Sequence, residues 1–262
     1  MAGRSQPAST EGKFQVMGLF GSKPVVAPLT PTDLAFLKDW SFPYSEMTDA
    51  LKAEFEDQVA HFLAEQRITG VSLDGPIERE DKLLAAASAC TLSAGWPGWR
   101  WSDVSEILLY PDDFDRDYRV GGEDESTPEH SGQAHPWGTI LMSLPSLEES
   151  FEDPHDGYHV GYHEFAHVLD KDEPSVGGST SYGGLPSNVQ GAFAEAMSKA
   201  LEKARIALVK GDSPLDEYGL ESPAELWAVA VEGFFEMPGP MRSAHPDLRE
   251  LLDLYFNQRA RH

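Results

Sequence analysis

Two histidines separated by three residues, with a glutamate directly after the first, carry the clearest chemical signal in this sequence. His163, Glu164 and His167 form an H-E-x-x-H pattern inside an apolar helical segment. On an α-helix, positions i and i+4 lie on one face, so the two imidazoles can bind one metal ion. Glu164 projects from the same turn and can take a proton from a water molecule held there. The pattern predicts a zinc hydrolase. The same five-residue pattern arises by chance in on the order of a few per cent of such chains.

The composition favours a folded protein with a substantial core and disfavours several other classes of protein. Hydrophobic residues make up 40% of the 262 residues, enough for one large domain or two intimate lobes. No apolar run is long enough to cross a membrane, and the N-terminus lacks the pattern of a secretory signal. A single cysteine, Cys90, excludes an internal disulfide framework, so we expect a cytoplasmic protein. The net charge of −24 disfavours direct binding to nucleic acid.

The order of the predicted elements indicates an α+β fold that is mostly helical with a small sheet. Residues 1–28 are rich in Gly, Ser, Pro and Ala and are predicted to be a flexible tail. Helical patterns dominate residues 29–100, which we predict to form an N-terminal lobe. The catalytic core is predicted over residues 101–262, and its short apolar runs at 106–110 and 139–143 are typical of strands.

Helices and one long loop account for most of the remaining sequence. Residues 112–134 are predicted to form an acidic loop that contains glycine. Besides the helix that carries the H-E-x-x-H pattern, the predicted helices cover residues 32–40, 48–66, 76–92, 187–209, 223–235 and 246–257.

A catalytic zinc site needs a third protein ligand, and spacing alone leaves two candidates. Glu225 lies in the first turn of a predicted helix that has Ser222 as its cap and Pro223 at its first position. The aromatic residues that follow indicate burial, and a buried carboxylate needs a partner such as a metal ion. A glutamate that only favours the helix dipole fits the spacing equally well. His159 precedes His163 by four residues, but its position at the start of the helix favours a capping or solvated role.

Two further carboxylates are candidates for orienting the metal ligands. Asp170 shares a helix face with His163 and His167 and could accept an imidazole N–H, or it could be a solvated residue at the helix end. Glu232 lies two turns beyond Glu225 on the same face, and its apolar neighbours favour a supporting role over exposure.

Four ordered blocks of sequence resemble the Mlc titration factor A family of zinc metallopeptidases. The catalytic core of that family is similar to the protease domain of anthrax lethal factor. The resemblance extends over residues 30–256, and its blocks lie within residues 109–111, 131–143, 163–170 and 222–236.

The resemblance implies a zincin-like fold and zinc-dependent hydrolysis of small peptides, of the aminopeptidase type, with endopeptidase action left open. It implies that His163, His167 and Glu225 bind one zinc ion per chain and that Glu164 is the general base. The family has a tyrosine seven residues before the ligand glutamate, and Tyr218 stands at that position. The implied role of Tyr218 is to stabilise the oxyanion that develops during hydrolysis.

The resemblance also implies a second class of function, in which the chain sequesters a transcriptional repressor and the metal site is secondary or vestigial. A purely structural zinc site is disfavoured because such a site needs no base like Glu164. If the chain is a peptidase, we expect the predicted strand at residues 139–143 to offer an edge to an extended peptide substrate.

Overall fold

The computed structural model describes residues 24–115, 118–120, 130–170 and 187–257. Most of the predicted tail and parts of the predicted acidic loop lie outside these ranges. Within the described residues the protein is mostly helical with one small sheet, which confirms the predicted α+β class. A 3-10 helix covers Glu217–Leu220, and the α-helices are α1 (Pro31–Trp40), α2 (Phe42–Glu46), α3 (Asp49–Glu65), α4 (Arg79–Ser93), α5 (Leu144–Glu152), α6 (Val160–Leu169), α7 (Ser187–Val209), α8 (Pro223–Glu236), α9 (Pro238–Ala244) and α10 (Pro246–Tyr255).

The strands form one mixed sheet. They are β1 (Arg67–Gly70), β2 (Glu106–Tyr110), β3 (Gly132–Ala134) and β4 (Thr139–Ser143), and their order across the sheet is β1-β2-β4-β3. Strands β1, β2 and β4 are parallel to one another, whereas β3 is antiparallel to β4. The predicted strands at residues 106–110 and 139–143 are confirmed.

The prediction that residues 139–143 offer a free edge is wrong. This strand, β4, is paired on one side with β2 and on the other with β3. The edge belongs to β3, which has only three residues and follows the acidic segment. A strand this short gives no alternating pattern in the sequence, so its pairing becomes visible only in the folded protein.

The ends of several helices follow from capping residues. The hydroxyl of Thr30 accepts the Asp33 N–H at 3.1 Å, and the Asp33 carboxylate accepts the Thr30 N–H at 2.8 Å, so α1 begins at Pro31, one residue before the predicted range. Helix α5 was not predicted, and Pro145 lies in its first turn. Proline is compatible with the first turn of a helix, where its missing N–H has no partner to lose.

One hydrophobic core joins the N-terminal and C-terminal helices. Trp96, directly after α4, packs against Tyr255 and Phe256 at ring-centroid distances of 5.5 and 5.9 Å. Its indole N–H donates a hydrogen bond to the Tyr255 carbonyl at 2.9 Å. Every residue of α4 from Leu83 to Ser93 is buried, including the free thiol of Cys90. None of the described helices combines the length and apolar character that crossing a membrane requires.

Candidate metal centre

Helix α6 presents His163 and His167 from one face, while its opposite face is buried in the core. Phe165 on that opposite face is fully buried, and the two histidine side chains are 13% and 20% exposed. The imidazole rings lie 4.8 Å apart between centroids, as their i, i+4 spacing predicted. At the start of the helix, His159 Nδ1 accepts the Tyr162 N–H at 3.2 Å and caps the first turn.

Helix α8 brings Glu225 to the same place. The hydroxyl of Ser222 caps the helix by accepting the Glu225 N–H at 3.1 Å, and Pro223 occupies the first position, as predicted. Farther along α8, the indole N–H of Trp227 donates to the Ala166 carbonyl on α6 at 3.0 Å. This bond between the two helices fixes the first turn of α8 against the histidines.

Three of the predicted ligands come together in one cluster. Glu225 Oε2 lies 2.9 Å from His163 Nε2 and 3.3 Å from His167 Nε2. One ligand atom from each residue lies within 4.8 Å of the others, a group that could hold a metal ion. Two imidazole nitrogens and one carboxylate oxygen match the donor set of a catalytic zinc site. His159 stands apart from this group, because its ring is buried and stacked on Tyr162.

Glu232 holds the other nitrogen of His163. Its Oε1 lies 2.6 Å from His163 Nδ1, and its Oε2 accepts the His159 N–H at 2.8 Å. The buried carboxylate therefore links α8 to the start of α6 and turns the opposite nitrogen of His163 toward the cluster. Asp170 is the C-terminal cap of α6, where its N–H donates to the Ala166 carbonyl at 3.1 Å. A contact between its carboxylate and an imidazole stays a prediction.

Glu164 is a buried carboxylate, and one of its two oxygens accepts no hydrogen bond from the described residues. It is 4% exposed, and its Oε2 has no hydrogen-bond partner among the described residues. Burial raises the pKa of Glu164 to about 7, although the charges of His163 and His167 oppose this shift. Gly132 on β3 lies directly over the carboxylate, and a Cβ atom at that position would clash with Oε1. Glycine at residue 132 therefore allows the edge strand to pack against the Glu164 carboxylate.

Burial and hydrogen bonding oppose each other in the rest of the cluster. Burial alone would lower the pKa of His163, but its hydrogen bonds to Glu225 and Glu232 outweigh burial and raise that pKa well above its usual value. Burial favours a higher pKa for Glu225, but hydrogen bonds to both imidazoles lower it to about 2. Burial raises the pKa of Glu232 despite the bond with His163. Since three carboxylates converge on two imidazoles, a divalent cation fits the charge of the cluster as well as its donor atoms.

Tyr218 lies beside the cluster on the 3-10 helix that precedes α8. Its ring centroid is 5.8 Å from that of His163, and the residue is 40% exposed. Its backbone N–H donates to Asp216 Oδ1 at 2.7 Å, which caps the 3-10 helix and fixes the tyrosine backbone. The structure therefore brings the predicted phenol next to the imidazole, on the solvent side of the cluster.

A sequence profile of the glucose-regulated metallo-peptidase M90 family matches residues 25–257. The chain belongs to this family. It is 28% identical over 243 residues to the uncharacterized protein slr2042 of Synechocystis, covering 87% of this chain and 84% of that protein. It is 26% identical over 247 residues to the Mlc titration factor A of Pectobacterium atrosepticum, covering 90% and 89%. The Mlc titration factor A of Edwardsiella ictaluri is 27% identical over 203 residues, covering 75% and 73%. The resemblance seen in the sequence is thereby confirmed.

Two cavities of this M90 chain meet at the cluster, one of about 210 Å³ and one of about 610 Å³. Both are lined by His130, Gly132, His163, Glu164 and Tyr218. The smaller cavity continues to Val160 on α6 and Val229 on α8. The larger continues to Ala134 on β3 and Glu225 on α8. An extended ligand lying along β3 would reach both cavities and pass Glu164.

The lining residues of the smaller cavity that the sequence did not predict as site residues include Ser131, Tyr158 and Asp216. The hydroxyl oxygens of Ser131 and Tyr158 lie 2.5 Å apart, which joins the start of β3 to the segment before α6. Burial raises the pKa of Tyr158 to about 12, so its phenol stays protonated. Ser131 lies within one of the blocks that carry the family resemblance, and that was the only sequence signal for it.

Proposed function

We propose that this M90 chain is a zinc-dependent peptidase with a zincin-like core, and that His163, His167 and Glu225 are its zinc ligands. The proposal depends on one observation above the others. A three-donor cluster lies next to Glu164, a buried carboxylate with an unpaired oxygen. Membership of a metallopeptidase family supports the same chemistry.

Each residue of the site has a role in this chemistry. Zinc bound by the cluster would polarise the substrate carbonyl and acidify water. Glu164 takes the proton of the attacking water and passes it to the leaving amine. Glu232 holds His163 in position through the 2.6 Å contact with Nδ1. The Tyr218 hydroxyl donates a hydrogen bond to the oxyanion as charge develops on it.

The free edge of β3 supports an extended peptide as the substrate. The backbone hydrogen bonds that flank this strand join the Ser143 N–H to Ser131 at 2.7 Å and the His135 N–H to Thr139 at 2.8 Å. Paired and outward-facing residues alternate in an antiparallel ladder. The N–H and C=O groups of Gly132 and Ala134 therefore face away from β4, and no described strand pairs with them. A peptide can add to this edge as a further strand.

Within this activity we propose aminopeptidase-type hydrolysis of small peptides, which the family resemblance implies. Cleavage of a peptide mixture by the zinc-loaded protein, followed by mass spectrometry, tests both the zinc-dependent peptidase activity and its aminopeptidase type. We expect cleavage that stops after chelation and returns with zinc, with single residues released from free N-termini. Cleavage that Glu164→Gln leaves intact would show that the activity comes from elsewhere.

A second candidate function is the binding of a transcriptional repressor. Relatives at 26% and 27% identity are named Mlc titration factor A, and that name supports binding of the Mlc repressor by this chain as well. Glu164→Gln separates the two functions, because it removes the base and keeps the shape of the surface. If repressor binding is independent of catalysis, the variant should bind purified Mlc as the wild type does. Loss of binding in the variant would make the site itself part of the interface.

A further inference from the structure

The smaller cavity beside the cluster has apolar walls and one carboxylate that is open to a ligand. Val160 and Val229 are buried and line it from α6 and α8. Tyr158 and Ser131 close another side through their hydroxyl pair. Asp216, the cap of the 3-10 helix, also lines the cavity. A ligand that fills this space therefore meets apolar surface along its length and a charge at one position.

Asp216 differs from the other carboxylates of the cavity in being exposed, and its Oδ2 accepts no hydrogen bond from a described residue. Glu232 is buried and hydrogen-bonded to an imidazole, and Glu164 is the proposed base. Asp216 is exposed, and it uses Oδ1 to accept the Tyr218 N–H. A charged group that enters the cavity can therefore bind to its second carboxylate oxygen.

The charge of the cavity selects the sign of such a group. Among the described residues, no lysine or arginine lines the smaller cavity, whereas three carboxylates do. Glu164 and Glu232 face His163 and the proposed zinc ion, so the charge left for a ligand is that of Asp216, which repels a negative group on a peptide and attracts a positive one. The net charge of −24 acts in the same direction at longer range.

We propose that the smaller cavity recognises a cationic group of the peptide substrate and that Asp216 is the residue that determines this specificity. The proposal rests on the proposed peptidase function and names its substrate class. The cation is either the α-ammonium group of the peptide or the side chain of a lysine or arginine. In the second case, the alkyl stem packs against Val160 and Val229 while the charged end reaches Asp216.

Asp216→Asn is the informative variant, because asparagine keeps the side-chain oxygen that caps Tyr218 and removes only the charge. Glu217→Gln is the matched control: it removes the same charge one residue along, and Glu217 is exposed and lines neither of the two cavities. The peptides form pairs that differ only in lysine against norleucine, and each is made with a free and with an acetylated N-terminus.

We expect the wild type to prefer the cationic member of a pair, and Asp216→Asn to reduce that preference roughly five- to tenfold, mainly through KM. Glu217→Gln should keep the wild-type preference. A preference for the free over the acetylated N-terminus identifies the α-ammonium as the group bound, and a preference for lysine over norleucine identifies the side chain. Equal preferences in the wild type and Asp216→Asn would overturn the proposal while the peptidase function stands.

A binding experiment keeps this inference separate from the peptidase proposal. Zinc-loaded Glu164→Gln is titrated with lysine amide, norleucine amide and their acetylated forms, with and without Asp216→Asn in the same chain. Tighter binding of the cationic ligands that depends on Asp216 supports the inference even if no peptide is cleaved, an outcome that counts only against the peptidase proposal. Binding that ignores ligand charge, or that Asp216→Asn leaves unchanged, refutes the inference.

Discussion

Gln58 on α3 and Glu164 on α6 are both buried polar residues, but their surroundings differ. The Gln58 amide donates to the carbonyls of Ser93 and Trp96, both at 3.1 Å, and its oxygen accepts the Ser93 hydroxyl at 2.5 Å. The Ser93 hydroxyl in turn accepts the Trp101 indole N–H at 3.1 Å. Glu164 has instead an oxygen that no described residue pairs with, in a group of like charges.

This difference separates a polar group that holds the fold together from one that awaits a ligand. The network of Gln58, Ser93, Trp96 and Trp101, which also includes a 2.9 Å hydrogen bond from Gln58 to the Glu54 carboxylate, is satisfied by the protein itself, so it stabilises the fold in any state of the site. A buried polar atom without a partner costs about 1–3 kcal/mol, and a functional site is where such a cost is retained. The comparison predicts that substitutions in the two regions change different measurable quantities.

The largest effect is expected for Glu164→Gln, which keeps the size of the side chain and removes the proposed base. We expect peptide turnover to fall roughly 10²- to 10⁴-fold, with zinc content unchanged. Glu236→Gln is the control, because Glu236 also is buried with an unpaired oxygen. Burial raises the pKa of Glu236 to about 9, so it carries a proton at neutral pH and glutamine mimics it. Comparable losses of kcat in the two variants would contradict the role of Glu164.

The next effect concerns zinc affinity. Glu232→Gln weakens the support of His163 and should lower the affinity roughly 10- to 100-fold, the usual effect of losing a partner that orients a ligand. Glu225→Ala removes a donor atom of the cluster and should lower the affinity further. Competition with a zinc chelator measures both dissociation constants. If Glu225→Ala binds zinc as the wild type does, Glu225 is not a ligand.

Tyr218→Phe should produce a smaller loss, confined to the rate. Removing a donor to the oxyanion typically costs about 10²-fold in kcat, and the 40% exposure of Tyr218 favours a loss below that figure. Steady-state kinetics on one peptide should show the change in kcat with KM and zinc content little altered. A variant with wild-type kcat would leave Tyr218 with a packing role only.

Substitution in the Gln58 network should lower the stability of the fold and leave zinc binding unchanged. Gln58→Ala removes three buried hydrogen bonds to Ser93 and Trp96, so the free energy of unfolding should fall by about 2–3 kcal/mol. Denaturant unfolding of the zinc-free protein measures this loss. Zinc stoichiometry and affinity should remain those of the wild type. A fall in zinc affinity would show that the two regions are coupled.

The smallest effect is expected for a charged pair that is structural. Arg79 on α4 binds the Asp33 carboxylate at 3.0 Å, and this contact holds the pKa of Asp33 at about 2. Because the folded-state pKa is depressed, the stabilisation is complete above the unfolded value of about 4 and disappears as pH falls through 2. Asp33→Asn should cost about 1 kcal/mol at pH 7, since Arg79 is half exposed. The difference from wild type in urea unfolding should vanish near pH 2, and a pH-independent difference would contradict this account.

The sequence predicted those parts of the fold that local patterns determine. The bounds of α7 and of β2 and β4 match the predicted ranges, because long apolar periodicity and short apolar runs are local signals. In α8, Ser222 and Pro223 marked the start correctly for the same reason. The strands β1 and β3 were missed because each has three or four residues and exists only through its pairing with a distant strand.

The residues of the candidate site also divide into those that local sequence patterns predict and those that come together only through tertiary packing. The spacing of His163, Glu164 and His167 on one helix was sufficient to predict their association. Glu225 was one of two candidates until the family resemblance was considered, because it lies on a different helix. Asp216 could not be found, since nothing in its local sequence indicates a cavity that forms only when β3, α6 and α8 pack together.

The zinc content of the purified protein tests the central claim most directly. Wild type, His163→Ala and His167→Ala are each saturated with zinc, freed of excess metal and measured for bound zinc per chain. We predict about one zinc ion per wild-type chain and loss of most of it in each variant, because each substitution removes a donor of the cluster. Wild-type protein that retains no zinc, or variants that retain as much as the wild type, would contradict the metal centre described for this M90 chain.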